Sequence, residues 1–457
     1  MTSSASPTAA PAPLGKPVTR RGLLKVLGVG FGIAVAVGNT IGAGILRAPG
    51  EIAERLPSPV FFLGIWIVGA LYATLGAISL SELGTMLPKS GGQYVFARHA
   101  FGRYVGFVVG WNDWLSTAGS AAAVAIVVGD YSGALHPSLS GRSATVAAAL
   151  IILFTLIQWR GVRWGGGVQN VTSVLKAIVL VGLVIACFVL ADAAARPPDV
   201  SSPLPTSVAL FVAIILSLQA VIYTYDGWTG VIYFSEEVRD PARDIPRAMI
   251  GSVLCIAAIY LLVNLAFLYV LPLSSMAGKT LVAGEVATTL FGPKGDMVIR
   301  VIMIAALLST VNALVLMAPR VLYAMSRDGL FSQRGTEVNE GGTPTIALLL
   351  SSLVALVFAA TGTFNTVIAV LAFFFVANYV ISFSALFLLR WREPDAPRPF
   401  RAWGYPWTTG IALAGSLAFL LGAVALDRRN SLYALAVVLA SAPIYMIVRR
   451  MLPERAG

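Results

Sequence analysis

Long apolar stretches separated by short polar connections run through nearly the whole chain. Crossing a hydrocarbon core of about 30 Å takes about 20 helical residues. Twelve runs reach or approach that length, at 24–46, 60–87, 101–130, 144–159, 168–191, 207–236, 248–271, 297–325, 344–361, 365–390, 406–426 and 431–448. The fourth and ninth are short. The pattern predicts an all-α integral membrane protein of twelve transmembrane helices. The first run is no cleaved signal peptide, being too long and without a small-residue cleavage site. Residues 1–22, Ser/Ala/Pro-rich at their start, are expected to form a disordered tail, and 451–457 a second short tail.

Two of the runs are interrupted. Gly38-Asn39-Thr40-Ile41-Gly42-Ala43-Gly44 places three glycines inside the first, each weakening a helix by about 0.5–1 kcal/mol relative to alanine. The sixth carries Tyr223-Thr224-Tyr225-Asp226-Gly227-Trp228-Thr229-Gly230, with a carboxylate near mid-membrane. These breaks open two five-helix sets, 23–191 and 207–390, with two further helices in 405–450. Five is odd, so the second set enters from the opposite side and the repeats are inverted. Two readings stand for the first stretch. Gly38-xxx-Gly42 is a small-xxx-small pattern for close helix packing, and paired breaks in corresponding positions mark the binding site of secondary transporters.

Unwound backbone inside a bilayer survives only where it lines protein or a water cavity. The half-helix N-terminus after each break presents free N–H donors and a positive dipole end, suited to a carboxylate. Carbonyls ending the preceding half-helices suit an ammonium group. A zwitterion carrying both groups on one carbon, an α-amino acid, matches that arrangement.

Composition agrees with the membrane class. Hydrophobic residues make up 57% of 457 and charged residues 12%, against roughly 25% charged in ordinary globular chains; mean hydropathy is +0.83. The net charge of +11 raises nucleic acid as a partner. Most of the 32 lysines and arginines, however, fall in the tails and in the connections after even-numbered spans, as at Arg160 and Arg163, Arg239 to Arg247, and Arg390 to Arg401. By the positive-inside rule both termini are cytoplasmic, and the basic excess is topology rather than nucleic-acid affinity. Cys187 and Cys255 lie inside apolar runs, which argues against a disulfide scaffold or a zinc site, and His99 and His136 lie apart. There is no Walker A sequence or HExxH, and Gly28-Val-Gly-Phe-Gly enters a membrane helix without the strand a dinucleotide site needs. No cofactor, metal or enzymatic chemistry is expected.

Four stretches carry a family resemblance: GNTIGAGIL (38–46), PKSGGQYVFARHAFG (88–102), YDGWTGVIYFSEEVRDPARDIPRA (225–248) and APRVLYAMSRDGLF (318–331). They resemble the amino acid–polyamine–organocation superfamily, and within it the L-type amino acid transporter group. The resemblance implies a LeuT-type fold, a 5+5 inverted repeat with broken helices 1 and 6 plus two C-terminal helices. It implies that Gly42, Ala43 and Gly44 offer backbone N–H groups to a substrate carboxylate, with Thr40, Ile41, Tyr223, Thr224, Tyr225, Asp226 and Trp228 completing the site. Carbonyls of Thr40, Tyr223, Thr224 and Asp226 are expected to meet the ammonium. Family members often have serine where this chain has Ala43. Tyr223 is either the family's outer gate or a packed core tyrosine, and Trp228, Trp111 and Trp114 either shape the cavity or pack.

The ionisable groups inside the spans carry two readings each. Lys176 lies about 12 Å into the fifth span at 1.5 Å per residue, where it either snorkels to the interface or is buried and functional. Sodium-independent family members carry a lysine in a similar context, its ammonium replacing a sodium ion between the first and eighth helices. That implies Lys176 as sodium surrogate, a fixed cation or a proton carrier, with Ser309 and Thr310 as hydroxyl neighbours. Asp226 is a substrate or proton ligand, or it caps the half-helix beginning at Gly227. Asn312 is an interhelical hydrogen-bonding residue or lines the pocket. The mixed-sign run Glu236, Glu237, Arg239, Asp240, Arg243, Asp244 and Arg247 is expected to be a solvated loop, a cytoplasmic gate being the lesser reading. Residues 282–291 resemble a short external amphipathic helix or lid.

The expected function is secondary active transport of L-α-amino acids, neutral ones first, without sodium, by alternating access as an exchanger or proton-coupled permease in the plasma membrane. The alternatives are a cationic amino acid or polyamine transporter, using Asp226 as counter-charge, and a non-transporting amino acid sensor. Heteromeric relatives join an accessory glycoprotein through a cysteine in the external loop after span three. Residues 131–143 contain none, so no disulfide-linked accessory subunit is expected.

Overall fold

The computed structural model of the chain describes residues 22–42, 44–191, 198, 203–361, 364–426 and 428–451. Ala43 and most of both expected tails lie outside the described residues. Among the described residues the chain is helical, with no strand beyond the isolated bridges Leu27–Val238 and Val338–Pro344. Eight of the described helices are long and apolar enough to cross a membrane, or nine if Val29–Thr40 (α1) and Gly44–Arg55 (α2), bent by 46° at their break, form one span. The shorter apolar helices Ser143–Trp159, Thr345–Ala360 and Trp407–Gly422 fall below that test.

Local chemistry sets the ends. Pro59 opens Pro59–Met86 (α3) and Pro241 opens Pro241–Val270 (α9), each at the first helical turn, where a missing N–H costs no bond. Gly102, at φ 88°, turns the chain from Gln93–Phe101 (α4) into Arg103–Leu135 (α5) in a backbone conformation that other residues resist. The sixth apolar run is Ser207–Tyr225 (α8) followed by the tighter 3-10 turns Trp228–Phe234.

Val162–Leu190 (α7) shows which way the molecule faces its solvent. Val171, Val174, Ile178, Val181 and Ile185 recur at helical spacing and are exposed, while Gln169, Ser173 and Lys176 share the buried side. That is the reverse of a soluble amphipathic helix, and it suits lipid outside and polar contacts within. α5 packs along Gly295–Arg327 (α12), Thr345–Thr361 (α13) and Phe364–Arg392 (α14). α1 lies against α9, α7, α12 and the Trp228–Phe234 turns. The short helix expected at 282–291 is present as Val282–Phe291, packed on α12 and α2.

Candidate functional site

α1 stops at Thr40 because Ile41 turns extended, with ψ 96°, and helix resumes only at Gly44. The interruption frees carbonyls that a continuous helix would bond internally. Lys176 answers them. It is fully buried, and its ammonium donates to Gly38 O at 2.8 Å, to Thr310 Oγ1 at 3.0 Å and to Ile41 O. All three N–H groups are thereby used, and the Thr310 hydroxyl donates to the same Gly38 carbonyl at 2.8 Å. Lys176 therefore does not snorkel to an interface. The cation sits at the negative end of α1, where a helix dipole favours it. Ser173 and Gln169, one and two turns earlier on the same face of α7, both donate to Ala34 O and hold α7 against α1.

The two glycines of the first break serve different ends. A Cβ at Gly38 would lie 1.9 Å from Gln169 Nε2 and 2.8 Å from Ser309 Oγ, so Gly38 permits close helix approach. A Cβ at Gly42 would meet only Thr310 Oγ1, at 4.0 Å, and would otherwise enter open space. Gly38 thus serves packing, while Gly42 leaves open space beside Thr310.

The second break touches the first. α8 ends as Asp226 turns extended, and Gly227 follows at φ 115°. Asn39 Nδ2 donates to Gly227 O at 3.3 Å, and a Cβ on Gly227 would lie 2.9 Å from Thr40 N. Tyr260 of α9 joins them again: its hydroxyl lies 3.0 Å from both Thr40 O and Thr224 O and donates to the pair. These are two of the carbonyls assigned above to a substrate ammonium. The single Tyr260 O–H proton is shared between the two carbonyls, which leaves both with acceptor capacity to spare.

A cavity of about 130 Å³ opens at this junction. At roughly 10–15 Å³ of such space per water molecule it has room for a solute of amino acid size. Of the residues expected from sequence, Thr40, Gly42, Gly44, Tyr223, Thr224, Asp226 and Thr310 line it. Others belong to its support. Ile41 is fully buried and contributes its carbonyl to Lys176. Tyr225 is turned into a cluster with Trp66 and Tyr260. Trp228 stacks on Tyr379 at 5.4 Å between centroids. Ser309 bonds Ser173 and Gln169. Asn312 accepts from Gln158 and donates to Gln169, an interhelical role. Trp114 donates to Ser351 and packs at a tilt against Trp111, which places both in packing. The Asp226 carboxylate accepts the Tyr379 hydroxyl and lies within hydrogen-bonding reach of the Gly227 N–H, where the half-helix begins.

Sequence reasoning missed Asp113, Tyr233, Asn378 and Tyr379, all of which line the cavity. Asp113 stands in α5 with Thr117 and Ser120 on the same face, at i, i+4 and i+7, and that polar stripe inside an apolar run was a readable signal. It is 1% exposed, and Oδ1 accepts the Tyr233 hydroxyl at 2.8 Å. Gly92, at φ 64°, lets Tyr233 in: a Cβ there would lie 2.6 Å from its ring. Tyr379 carries no motif of its own and is brought to the site from more than 150 residues away by α14.

One end of the junction is closed by a buried ion pair, so Glu237 departs from the solvated-loop expectation for 236–247, whereas Arg239, Asp240, Arg243 and Arg247 are exposed, as expected. Glu237 is fully buried and receives Arg320 Nε at 2.9 Å and Nη2 at 3.0 Å. Arg320, 1% exposed, also lies over the Phe234 ring at 4.8 Å. Burial pushes the Glu237 carboxyl up from its ordinary value, and the Arg320 guanidinium pulls it back. Backbone bonds from Val26 and Leu27 N–H to Glu237 O, and from Arg239 N–H to Leu27 O, staple the start of the first span to the end of the sixth. Glu236 pairs with Arg327. Among the described residues no group of His, Cys, Asp and Glu could hold a metal ion.

A family model described as amino acid permease matches residues 27–448. The serine/threonine exchanger SteT of Bacillus subtilis is 29% identical over 93% of this chain and 97% of its own length. The b(0,+)-type amino acid transporter 1 of mouse is 26% identical over 83% of this chain and 79% of its own. The human large neutral amino acids transporter small subunit 2 is 28% identical over 83% and 72%. With a matched region that takes in both broken helices and the cavity between them, the chain belongs to the amino acid permease family of the amino acid–polyamine–organocation superfamily, a family of multi-pass membrane proteins that transport amino acids.

Proposed function

We propose that this chain is a secondary active transporter of L-α-amino acids working by alternating access around the two breaks. The observation that carries the reading is the buried Lys176 ammonium on the freed Gly38 and Ile41 carbonyls, directly behind the cavity. A fixed cation there takes the place of a coupling metal ion, so transport runs without sodium, as exchange or with protons. Gly42, Gly44 and, outside the described residues, Ala43 offer the substrate carboxylate their N–H groups, and the 223–226 backbone faces its ammonium. Neutral substrates are supported by the relatives, one named for serine and threonine and one for large neutral amino acids. The proposal includes twelve spans as a 5+5 inverted repeat plus two, both termini cytoplasmic, the plasma membrane as location, and action without a disulfide-linked subunit or enzymatic step. A second reading, transport of cationic amino acids or polyamines, is favoured by Asp113 and Asp226 lining the cavity with no lysine or arginine beside them in its wall.

Counterflow in proteoliposomes tests this. Vesicles loaded with one unlabelled amino acid are expected to accumulate a labelled trace of it with no ion gradient, and replacing sodium with choline is expected to change nothing. Accumulation only with arginine or putrescine would select the second reading. Binding by thermal shift without any accumulation would make the protein a sensor and end the transport proposal.

A further inference from the structure

The main-chain groups of an amino acid are accounted for at the two breaks, which leaves the substrate's side chain to the other walls of the cavity. The α12 wall is apolar apart from Thr310, with Leu307, Leu314 and Met317. The α5 wall begins with Asp113. This carboxylate is 1% exposed, one oxygen is held by the Tyr233 hydroxyl at 2.8 Å, and Oδ2 has no hydrogen-bond partner among the described residues. The neighbouring Thr117 hydroxyl is turned back to the Asp113 carbonyl at 2.7 Å and does not serve it. A buried acceptor left without a donor is disfavoured, strongly so when charged, and Asp113 lines the cavity at the two breaks.

We infer that Asp113, aimed by Tyr233, reads the far end of the substrate's side chain and selects amino acids that carry a hydrogen-bond donor there, a hydroxyl or an ammonium group. The inference rests on the amino acid transport reading above. Tyr233 is a positioning residue: it fixes one carboxylate oxygen so that the other faces the cavity.

The test is competition in the counterflow assay with near-isosteric pairs, threonine against valine and lysine against norleucine. For the wild-type protein at least one donor-bearing member should compete roughly tenfold or more better than its apolar twin, the worth of one hydrogen bond to a charged group. Asp113→Leu should bring the ratio close to one. Asp113→Asn separates the two donors, keeping threonine selectivity but losing lysine selectivity. Tyr233→Phe should lower the ratio part way. Parity of both pairs in the wild type overturns the inference, and so does an undiminished ratio in Asp113→Leu. Should Asp113→Leu fail to reach the membrane, the wild-type pairs and Asp113→Asn decide. Absence of counterflow with every amino acid would sink the transport reading itself, whereas counterflow without side-chain discrimination sinks only the role of Asp113.

Discussion

Lys176 and the glycines around it show how much rests on single side chains. Removing the ammonium leaves Gly38 O with the Thr310 hydroxyl alone and takes from Ile41 O its main donor in a buried place, at about 1–3 kcal/mol for an unsatisfied group. Lys176→Ala is therefore expected to slow counterflow at least tenfold, and near-wild-type flux would remove its assignment. Gly38 and Gly42 should respond in opposite ways. Gly38→Ala drives a methyl into Gln169 and Ser309, so the melting temperature falls; overpacking of this kind costs about 1–3 kcal/mol. Gly42→Val meets little protein, so the protein should stay folded while the stabilisation produced by added substrate disappears. Fluorescence-monitored melting with and without amino acid separates the two cases. The glycine pattern was plain in the sequence. Which glycine packs and which opens to the cavity depends on α7 and α12, more than 100 residues away.

At the scale of elements, two contacts hold the broken helices. Tyr260→Phe keeps the ring and deletes the hydroxyl that lies between Thr40 O and Thr224 O. The expected result is a loss of about 1–3 kcal/mol of stability and weaker substrate binding, seen as a higher half-saturation concentration in counterflow; an unchanged affinity would mean that the bridge does not shape the site. At the closed end, Arg320→Met leaves Glu237 buried without its cation, and breaking such a pair costs about 3–5 kcal/mol. The protein should melt earlier, and a cysteine placed at Val26 should react faster with a water-soluble maleimide than in the unaltered background. Equal labelling would show that the ion pair does not hold this end shut. Most of the mixed-charge run is exposed, as charges beside a span usually are; only the fold brings Arg320 of α12 to Glu237.

For the whole molecule, the apolar outer face of α7 and the polar stripe behind it make lipid the solvent and the helix bundle the polar phase. Within such a bundle the energetic burden falls on hydrogen bonding rather than apolar burial, since lipid tails are as apolar as leucine. The positive-inside asymmetry leads to a topological test. Single cysteines near residue 20 and near residue 455, in a background lacking Cys187 and Cys255, should both be shielded from an impermeant maleimide in intact cells and labelled after lysis. Labelling of one of them in intact cells would break the even-span topology and the inverted repeat with it.

The sequence by itself determined that the chain is helical and membrane-embedded, where its first and sixth spans break, and that Lys176 stands in the fifth span and Asp226 at the sixth-span break. These are properties of local composition: glycines weaken a helix wherever it lies, and apolar length fixes what crosses a bilayer. Tertiary structure alone decided what those residues meet. Lys176 reaches the α1 carbonyls because Gly38 lets α7 approach, Tyr225 turns from the cavity while Tyr223 lines it, and Asp113 joins the site because Gly92 admits Tyr233. Partners brought together across 100 to 200 residues leave no periodic trace in either segment. A hydrogen bond depends on ångström placement, and only the packed bundle supplies it.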